Sequence, residues 1–504
     1  MKHTAFHGGR VPCLVGTARQ TWHTGVDPSP EPLEMWELMA RAAAADVGTG
    51  AEVIDAIDHL GVVHCQSWAY DHPSARLASA LGLEGIRCEE SILAGTSPQR
   101  LINAAAERML AGECEVALVV GGEALATRRR YAKAGERPPW RHPHPDPPAL
   151  PVDLDEWYLP TEIAHGVLPA WMTFALLEQA RWAARGGVPA DRREMARVVE
   201  QLNAVAVTNT DAWFRVPRTS EELTRAGPAN RMVSTPYTKW MTAFLDVDMA
   251  AANLVVTRST ADRWGVPDER RVYLRGWGFA RDSVHLGARS DLASSPAMRL
   301  ATGAATTMAG VSLDEIDVFD LYSCFPSAVA FARDALGLGA DDPRPITVTG
   351  GLPYHGGPSS NYMGHSISHL ADHLRGRAGS SGLVTGIGMH MTKHVAAVWS
   401  SAPGPLSVAK HAEAPQGWAG LSDSPDVDVL DSASGGAVVR AATVVHRTDG
   451  SPSHAVAICE LPDGSRCYAR GEDLDTIAAV AEDRWAVSIA TLSPAGDGTN
   501  RFDL

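Results

Sequence analysis

The sequence predicts an α/β protein made of two similar halves and a smaller β-rich unit. Short apolar runs alternate with helical patterns between residues 11 and 400, which is typical of a sheet covered by helices. A helix, a glycine and a strand follow one another at 104–122 and again at 367–388, which indicates an internal duplication. After residue 426, β-branched runs separated by DG and GS turns favour an antiparallel β-domain.

The first half starts as strand, helix and strand. Residues 11–16 are a short apolar run ending in glycine, which predicts a buried strand, and 32–47 have the apolar spacing of a helix. A second strand is predicted at 61–65, a helix at 98–110 and a third strand at 115–122. Since the links are short, we expect a parallel sheet.

A proline-rich and charged segment interrupts this alternation at 128–160, and we expect it to run over the surface. Helices are predicted across 161–232, and core alternation resumes at 249–265. The second half begins near 271–280. Its further predicted elements are helices at 293–309 and 324–336 and a strand at 381–391.

The predicted domains follow from these shifts in composition. The first half spans 1–270 and carries an insertion at about 126–245, and the second half spans 271–405. Residues 403–425 have the composition of a linker. The β-rich domain is expected over 406–504, as a small barrel or open sheet.

Composition excludes several functional classes. The chain has 504 residues and a formal net charge of −15, which argues against a nucleic-acid backbone as partner. No run of about 18 apolar residues is present, so no membrane span is expected. The seven cysteines are an odd number without a CxxC pair. We therefore expect neither a disulfide framework nor a metal site, and a reducing, cytoplasmic location.

Four segments together resemble the thiolase superfamily. They are AGTSPQRLINAAAERMLAGECEVALVVGGEAL at 94–125, DLYSCFPSAVAFA at 320–332, TGGLPYHGGPSSNYMGHSISHLADHLR at 349–375 and LVTGIGMHM at 383–391. They occur in the order and roughly the spacing of that family, and the resemblance covers residues 10 to 400. Within the family, the sterol-carrier-type thiolase-like proteins of type 1, which carry an additional C-terminal domain, are the most similar.

The resemblance implies a duplicated, five-layered αβαβα fold with a helical loop insertion, and an acyl-CoA as ligand rather than a permanently bound cofactor. A thiolase needs a nucleophilic cysteine at a helix N-terminus, a histidine that deprotonates it, oxyanion donors and a second cysteine. In this sequence the nucleophile position falls on Gly95 and the histidine position on Gly357. The last loop contains no cysteine, and Tyr322 stands where an oxyanion-hole residue is expected.

Other residues are candidates to replace the missing groups. Thr96 and Ser97 begin the same helix, although a hydroxyl there is more often a helix cap. Cys324 lies on the loop that should reach the pocket, and either His355 or His365 is a candidate base; a buried thiol and an ordinary loop or helix histidine are the simpler interpretations. We therefore take Ser97, Tyr322, Cys324 and His365 as candidate catalytic residues.

Glycines and basic residues suggest how a ligand is held. The candidate binding residues are Gly350, Gly351, Gly356 and Gly357, because glycine lets the backbone approach a ligand closely. Arg128, Arg129, Arg130 and Lys133 are candidates for contacting CoA phosphates, with a solvated basic turn as the alternative.

Three functions remain open at this stage. The first is an acyltransferase similar to acetyl-CoA acetyltransferases, active in lipid metabolism with a non-standard site. The second is an inactive acyl-CoA binding module, and the third is a retro-aldolase-type lyase acting on CoA esters. Fold alone does not choose among them. A homodimer and a monomer are both compatible with the sequence.

Overall fold

The computed structural model describes residues 8–23, 29–50, 52–147, 154–186, 188–339, 341–406, 425–486 and 488–504. Most of the predicted linker, 407–424, lies outside these residues. No helix in the described part of the chain is long and apolar enough to cross a membrane.

The helices and strands follow the predicted order. The helices are α1 (Pro32–Asp46), α2 (Pro73–Leu81), α3 (Ser97–Ala111), α4 (Leu125–Lys133), α5 (Leu154–Trp157), α6 (Pro160–Ala164), α7 (Ala170–Arg185), α8 (Val188–Thr208), α9 (Ser220–Thr224), α10 (Arg258–Arg263), α11 (Pro296–Ala309), α12 (Pro326–Leu336), α13 (Gly351–Tyr354), α14 (Tyr362–Leu374) and α15 (Leu474–Ala481). The strands are β1 (Pro12–Thr21), β2 (His59–Val62), β3 (Arg87–Glu90), β4 (Val116–Ala124), β5 (Met232–Ser234), β6 (Tyr237–Thr238), β7 (Asp248–Thr257), β8 (Val272–Arg281), β9 (Val318–Asp320), β10 (Ser381–Gly388), β11 (Lys393–Ser400), β12 (Val429–Leu430), β13 (Gly435–His446), β14 (Pro452–Glu460), β15 (Arg466–Gly471), β16 (Ile489–Pro494) and β17 (Asn500–Asp503).

The predicted duplication is visible in the strand order. The nine-stranded sheet runs β3-β2-β4-β7-β1-β8-β11-β10-β9. Its first four-strand set, β2-β4-β7-β1, has the same order and directions as β9-β10-β11-β8: one parallel pair followed by two antiparallel pairs. The two sets meet in a short contact, where Cys13 pairs with Tyr273 and Leu14 with Val272. Two similar halves therefore join into one sheet.

The sheet is mixed rather than parallel, which corrects the sequence-based expectation for its centre. The predicted strand at 381–391 is the first strand of a tight hairpin, in which β10 and β11 pair antiparallel across residues 389–392. Such a short connection can only join antiparallel strands. In the first half the matching strands, β4 and β7, are also antiparallel, but residues 125–247 separate them. The insertion thus occupies the position of a hairpin turn.

Glycines bring a helix close to the first strand of each half. A Cβ atom at Gly16 on β1 would lie 2.1 Å from the carbonyl oxygen of Ala43 on α1. On β8, a Cβ atom at Gly276 would lie 2.2 Å from the carbonyl oxygen of Ala305 on α11. Any larger residue would push the helix away from the sheet, so both halves use the same close contact.

The C-terminal region forms a closed five-stranded barrel, as the β-rich pattern predicted. Strand β13 pairs with β14 and β16, β15 pairs with β14 and β17, and β16 pairs with β17. Strand β5, from the insertion, adds to the outside of β13 through Val445 and Ser234. Helix α15 was not expected; it begins at Asp473, whose carboxylate accepts a hydrogen bond from the Thr476 amide and caps the helix.

One buried carboxylate joins the insertion, the second half and the barrel. Glu162 lies in the first turn of α6 and accepts a hydrogen bond of 2.7 Å from the Tyr468 hydroxyl on β15. It also accepts one from the Leu286 amide at 3.2 Å. The Tyr468 oxygen in turn accepts a bond of 2.8 Å from the Gly287 amide. Burial raises the pKa of Glu162, but the nearby His285 ring and the hydrogen bonds from Leu159 and Tyr468 outweigh it and hold the pKa below its usual value.

Replacing Tyr468 by phenylalanine is expected to weaken this junction. Tyr468→Phe leaves Glu162 without its shortest donor and Gly287 without its acceptor, which predicts a loss of about 1–3 kcal/mol in the free energy of unfolding. Chemical denaturation of the full chain measures it. The matched control is Tyr131→Phe on α4, for which a change within about 0.5 kcal/mol is expected. Equal stability of Tyr468→Phe and the parent protein would contradict the role of the junction.

Candidate functional site

The four segments that carry the resemblance to thiolases come together between the two halves. Gly95 precedes α3, Tyr322 follows β9, Gly357 lies between α13 and α14, and Ile387 is near the end of β10. A Cβ atom placed on Gly95 would be 2.2 Å from the Tyr322 hydroxyl oxygen and 2.4 Å from the Ile387 carbonyl oxygen. The predicted nucleophile position therefore faces both the phenol and the last loop.

Tyr322 fills the space beside Gly95. Its side chain is 6% exposed, and its amide donates to the Thr385 hydroxyl at 2.8 Å, which ties the loop to β10. Since the contact distances leave no room for a Cβ atom, no residue with a side chain fits at Gly95 without moving Tyr322 and the Ile387 backbone. The phenol thus occupies the centre of the site.

The last loop is filled in the same way. A Cβ atom at Gly386 would lie 2.2 Å from the Met363 sulfur and 2.8 Å from a methyl carbon of Val395. Met363 belongs to α14, which packs against β10. The loop in which the resemblance implies a second cysteine therefore presents backbone and a thioether.

The predicted base position has apolar neighbours. A Cβ atom at Gly357 would meet a methyl carbon of Leu352 at 3.2 Å and one of Leu245 at 3.3 Å. The Gly357 amide donates to the Phe244 carbonyl oxygen at 2.8 Å, so the insertion covers this loop. Leu245 is 44% exposed and marks the side from which solvent approaches.

The other candidate glycines contact the insertion. Gly350 has φ +103° and Gly356 has φ +105°, a backbone conformation that favours glycine. A Cβ atom at Gly350 would lie 2.5 Å from that of Ala206 on α8, and one at Gly356 would lie 2.9 Å from the Met249 sulfur. The Gly351 position faces the Ser323 hydroxyl. These glycines hold the loop against its neighbours.

A buried network supports the Tyr322 ring. Tyr362 packs edge-on against it with ring centroids 5.4 Å apart, and the Tyr362 hydroxyl lies 2.6 Å from the Thr349 hydroxyl and 3.2 Å from Asp320. Asp320 also accepts from the Thr347 hydroxyl and the Val348 amide. Burial raises the pKa of Tyr322 well above its usual value, so the phenol keeps its proton at neutral pH.

The structure places the candidate nucleophiles away from a base. The Ser97 hydroxyl donates to the Ile92 carbonyl oxygen at 2.8 Å. Burial raises the pKa of the Cys324 thiol, which keeps it protonated, and the Cys324 carbonyl accepts a bond from the Ala243 amide. Thr96 is buried and its hydroxyl has no hydrogen-bond partner among the described residues. No hydrogen bond in the described part of the chain joins Ser97 or Cys324 to a histidine.

The candidate bases form a cluster of their own. The rings of His355 and His365 are 5.2 Å apart, and those of His355 and His369 are 5.4 Å apart. Within the described residues, Nε2 of His355 and both ring nitrogens of His365 have no hydrogen-bond partner. Burial lowers the pKa of His355 to about 4, and it also lowers those of His365 and His369. All three rings are therefore neutral at neutral pH.

The structure adds residues that the sequence analysis did not select. His369 follows His365 by four residues on α14, a spacing from which their shared face could have been read. Met363 carried no signal, because its role depends on how α14 approaches β10.

The last loop is held from two sides. Met389 and Met391 have φ of 51° and 58°, a conformation that non-glycine residues rarely adopt. His390 between them lies 2.6 Å from the Tyr158 hydroxyl and 2.8 Å from the Thr173 hydroxyl. Arg289 donates to the carbonyl oxygens of His390 at 2.5 Å and Met391 at 2.7 Å. The insertion and the segment after β8 thus fix this loop.

Introducing a methyl group at Gly95 is expected to strain the site. Gly95→Ala forces the Tyr322 hydroxyl and the Ile387 backbone apart, which predicts a loss of about 1–3 kcal/mol in the free energy of unfolding. Adding Tyr322→Ala to this variant relieves the strain caused by the phenol but not the strain caused by the Ile387 backbone. A double-mutant cycle should therefore give a coupling energy of about 0.5–3 kcal/mol between positions 95 and 322. Gly303→Ala is the matched control.

Gly303 lies on α11 with no atom within 4 Å of an added Cβ, and alanine there is expected to raise stability by up to about 1 kcal/mol. Urea denaturation measures the parent protein, the two single variants, their double variant and Gly303→Ala. Additive effects of Gly95→Ala and Tyr322→Ala would contradict the contact between the two positions.

The neutral histidines predict a loss of stability in acid. An unfolded histidine has a pKa of about 6.5, so below that pH the unfolded chain takes up protons that the folded chain does not. Removing one such ring by His365→Leu should reduce the loss of unfolding free energy between about pH 7.5 and pH 5 by about 2 kcal/mol. Denaturation at both pH values measures it. Ile367→Val on the same helix should lower stability equally at both, and an unchanged acid loss in His365→Leu would refute a buried neutral ring.

Comparison with known proteins identifies the fold. A scan of protein-family models and a search of curated proteins gave no match to the chain. Among solved structures, a monomeric SCP2-thiolase-like protein type 1 from Mycobacterium smegmatis superposes with a TM-score of 0.81 and 29% identity, over 98% of this chain and 99% of that one.

Two further structures share the fold at lower identity. An Ltp2-ChsH2(DUF35) aldolase has a TM-score of 0.60 and 16% identity, over 78% of this chain and 98% of its own. A human mitochondrial 3-ketoacyl-CoA thiolase, solved in complex with CoA, has a TM-score of 0.55 and 16% identity, over 80% and 100%. The likeness to the mycobacterial protein extends through the barrel as well as both halves. The chain belongs to the thiolase superfamily.

Proposed function

We propose that this protein binds acyl-CoA esters in the thiolase slot and does not form a covalent acyl-enzyme. The observation that carries the proposal is the Tyr322 phenol against Gly95, where a nucleophilic cysteine would stand. Acyl transfer through an acyl-enzyme needs a thiolate or an activated hydroxyl next to a base. Ser97 is bonded to a carbonyl and Cys324 stays protonated, so the acyltransferase hypothesis receives less support than a binding function.

Similarity supports CoA as the ligand. The human thiolase of the same fold was solved in complex with CoA. The proposal also includes a place in lipid metabolism. It includes a cytoplasmic location as well, which the seven free thiols of the chain support.

Helix α4 offers a place for the phosphates of such a ligand. The Leu125 amide donates to Val247, and the Arg128 guanidinium donates to the Gln66 carbonyl oxygen at 2.8 Å. The Gln66 side chain accepts a bond from the Ser359 hydroxyl, two residues beyond Gly357. Arg130 and Lys133 are exposed on the same helix as Arg128, and we propose that they contact the phosphates. Guanidinium and ammonium groups suit a diphosphate.

A second candidate function is cleavage of a carbon–carbon bond in a β-hydroxyacyl-CoA. In this retro-aldol step a base takes the β-hydroxyl proton, the bond between the α- and β-carbons breaks, and the β-carbon becomes a carbonyl. The α-carbon keeps the electron pair as a thioester enolate, which then takes a proton. The neutral Tyr322 phenol, held at the position of the nucleophile, favours this candidate because it can donate a proton without forming a covalent bond. The aldolase with the same fold also supports it.

Titration with acyl-CoAs tests the primary proposal. Acetyl- to palmitoyl-CoA should give saturable heats in calorimetry, while intact-protein mass after incubation stays that of the unmodified chain. Arg130→Gln with Lys133→Gln should weaken CoA-ester binding about tenfold and leave acyl-pantetheine binding unchanged, because only CoA carries the phosphates.

Arg299→Gln, an exposed arginine on α11, is the matched control and should bind both ligands as the parent does. A stoichiometric acyl adduct would contradict the non-covalent proposal, and peptide mapping would then choose between Ser97 and Cys324. Binding of no CoA ester would remove the proposal altogether.

Product analysis with β-hydroxyacyl-CoAs tests the second candidate. Retro-aldol activity predicts a shortened acyl-CoA and a free carbonyl product in equal amounts, and Tyr322→Phe should lower kcat about 10²–10⁴-fold without the same change in Kd. Tyr354→Phe, a buried tyrosine on α13, is the control for loss of a hydroxyl. Equal turnover by Tyr322→Phe and the parent chain would exclude Tyr322 as the proton donor.

A further inference from the structure

A second cavity lies where the insertion, the second half and the barrel meet. Its volume is about 320 Å³, at the lower end of the range for small-molecule sites, and it shares no lining residue with the site around Gly95. One wall consists of Ala180, Ala183 and Ala184 on α7, and Val439 on β13 lies on the barrel side. Small alanine side chains leave this space open along an apolar wall.

The opposite side of the cavity carries two guanidinium groups. Arg440 on β13 and Arg466 on β15 both face Glu460 on β14: the Arg440 Nη2 lies 2.5 Å from one carboxylate oxygen and the Arg466 Nε 3.6 Å from the other. Two cations therefore share one carboxylate. Asp291, also at the cavity, accepts from the Ala293 amide and the Ser294 hydroxyl, so its own turn uses both of its oxygens.

Arg466 lacks one acceptor. Its side chain is nine-tenths buried or more, and its terminal nitrogens donate to the carbonyl oxygens of Gly287, Arg289 and Ser290. Its Nε is buried and, 3.6 Å from the Glu460 carboxylate, makes no hydrogen bond with any described residue. A buried, charged donor without a hydrogen bond is costly, and an anionic oxygen at this place would accept one from it.

We propose that this cavity binds a small amphipathic anion. A carboxylate or phosphate lies between Arg440 and Arg466, and a short apolar chain lies along the alanines of α7 and Val439. A bound anion contacts all three parts of the chain at once, and since it binds only the folded state it raises the stability of their junction by mass action. The site is separate from the proposed acyl-CoA slot, and its test does not depend on that function.

Calorimetry and thermal unfolding of the full chain with three probes test the proposal. Hexanoate and hexyl phosphate should bind saturably and raise Tm, and neutral hexanol should bind at least about tenfold more weakly. Binding of only one of the two anions also supports the proposal and identifies its head group. Absence of saturable binding by both anions up to about 10 mM, or equal binding of hexanol, overturns it.

Three variants locate the binding. Ala183→Phe fills the cavity and should abolish binding; Ala184→Phe, at an exposed position of the same wall, replaces it if the first chain does not fold. Arg440→Gln should weaken both anions about tenfold. Arg225→Gln, from an exposed ion pair with Glu221 on α9, is the matched control and should bind as the parent does. Unchanged anion binding in the filled variant or in Arg440→Gln refutes the site.

Discussion

The packing of the Tyr322 phenol against the backbone of Gly95 is the constraint on which the rest of the site depends. A Cβ atom added at Gly95 would lie only 2.2 Å from the Tyr322 hydroxyl oxygen and 2.4 Å from the Ile387 carbonyl oxygen. Close packing therefore holds together three segments: the start of α3, the loop after β9 and the end of β10. The Met363 thioether fills the space beside Gly386 in the same way. The space in which the resemblance places a nucleophile is therefore used by neighbouring side chains.

The barrel takes part in holding this site. Arg466 on β15 binds the carbonyl oxygens of the segment 287–290, and Arg289 in that segment binds those of His390 and Met391 in the last loop. Left-handed backbone at Met389 and Met391 persists only where its surroundings hold it. The contacts form a continuous physical connection from the barrel to the end of β10. The C-terminal region is thus connected to the last loop of the site through the segment 287–290.

The sequence predicted the fold better than the contacts of the site. Apolar runs and the repeated order of helix, glycine and strand depend on local periodicity, which is why the duplicated halves and the β-rich end were predictable. The antiparallel centre of the sheet was not predictable. Strands β4 and β7 pair antiparallel as β10 and β11 do, but more than a hundred residues separate β4 from β7, whereas a short turn joins β10 to β11. The motifs predict that Gly95 and Gly357 stand at the catalytic positions. Which side chain fills the space beside Gly95 could not be predicted, since it depends on how separate helices approach the sheet.

Charge gives the last argument about chemistry at the site. Burial moves the pKa of Tyr322 and Cys324 upward and that of His355 and His365 downward, so each of these groups is held in its uncharged form at neutral pH. Acyl transfer by a cysteine proceeds through a thiolate and an imidazolium, and both ions would be formed here at the full cost of desolvation. A thioester, which is itself uncharged and largely apolar, meets no such penalty. The same burial that disfavours nucleophilic chemistry is therefore compatible with the proposed non-covalent binding of a neutral thioester and with hydrogen bonding through a protonated phenol.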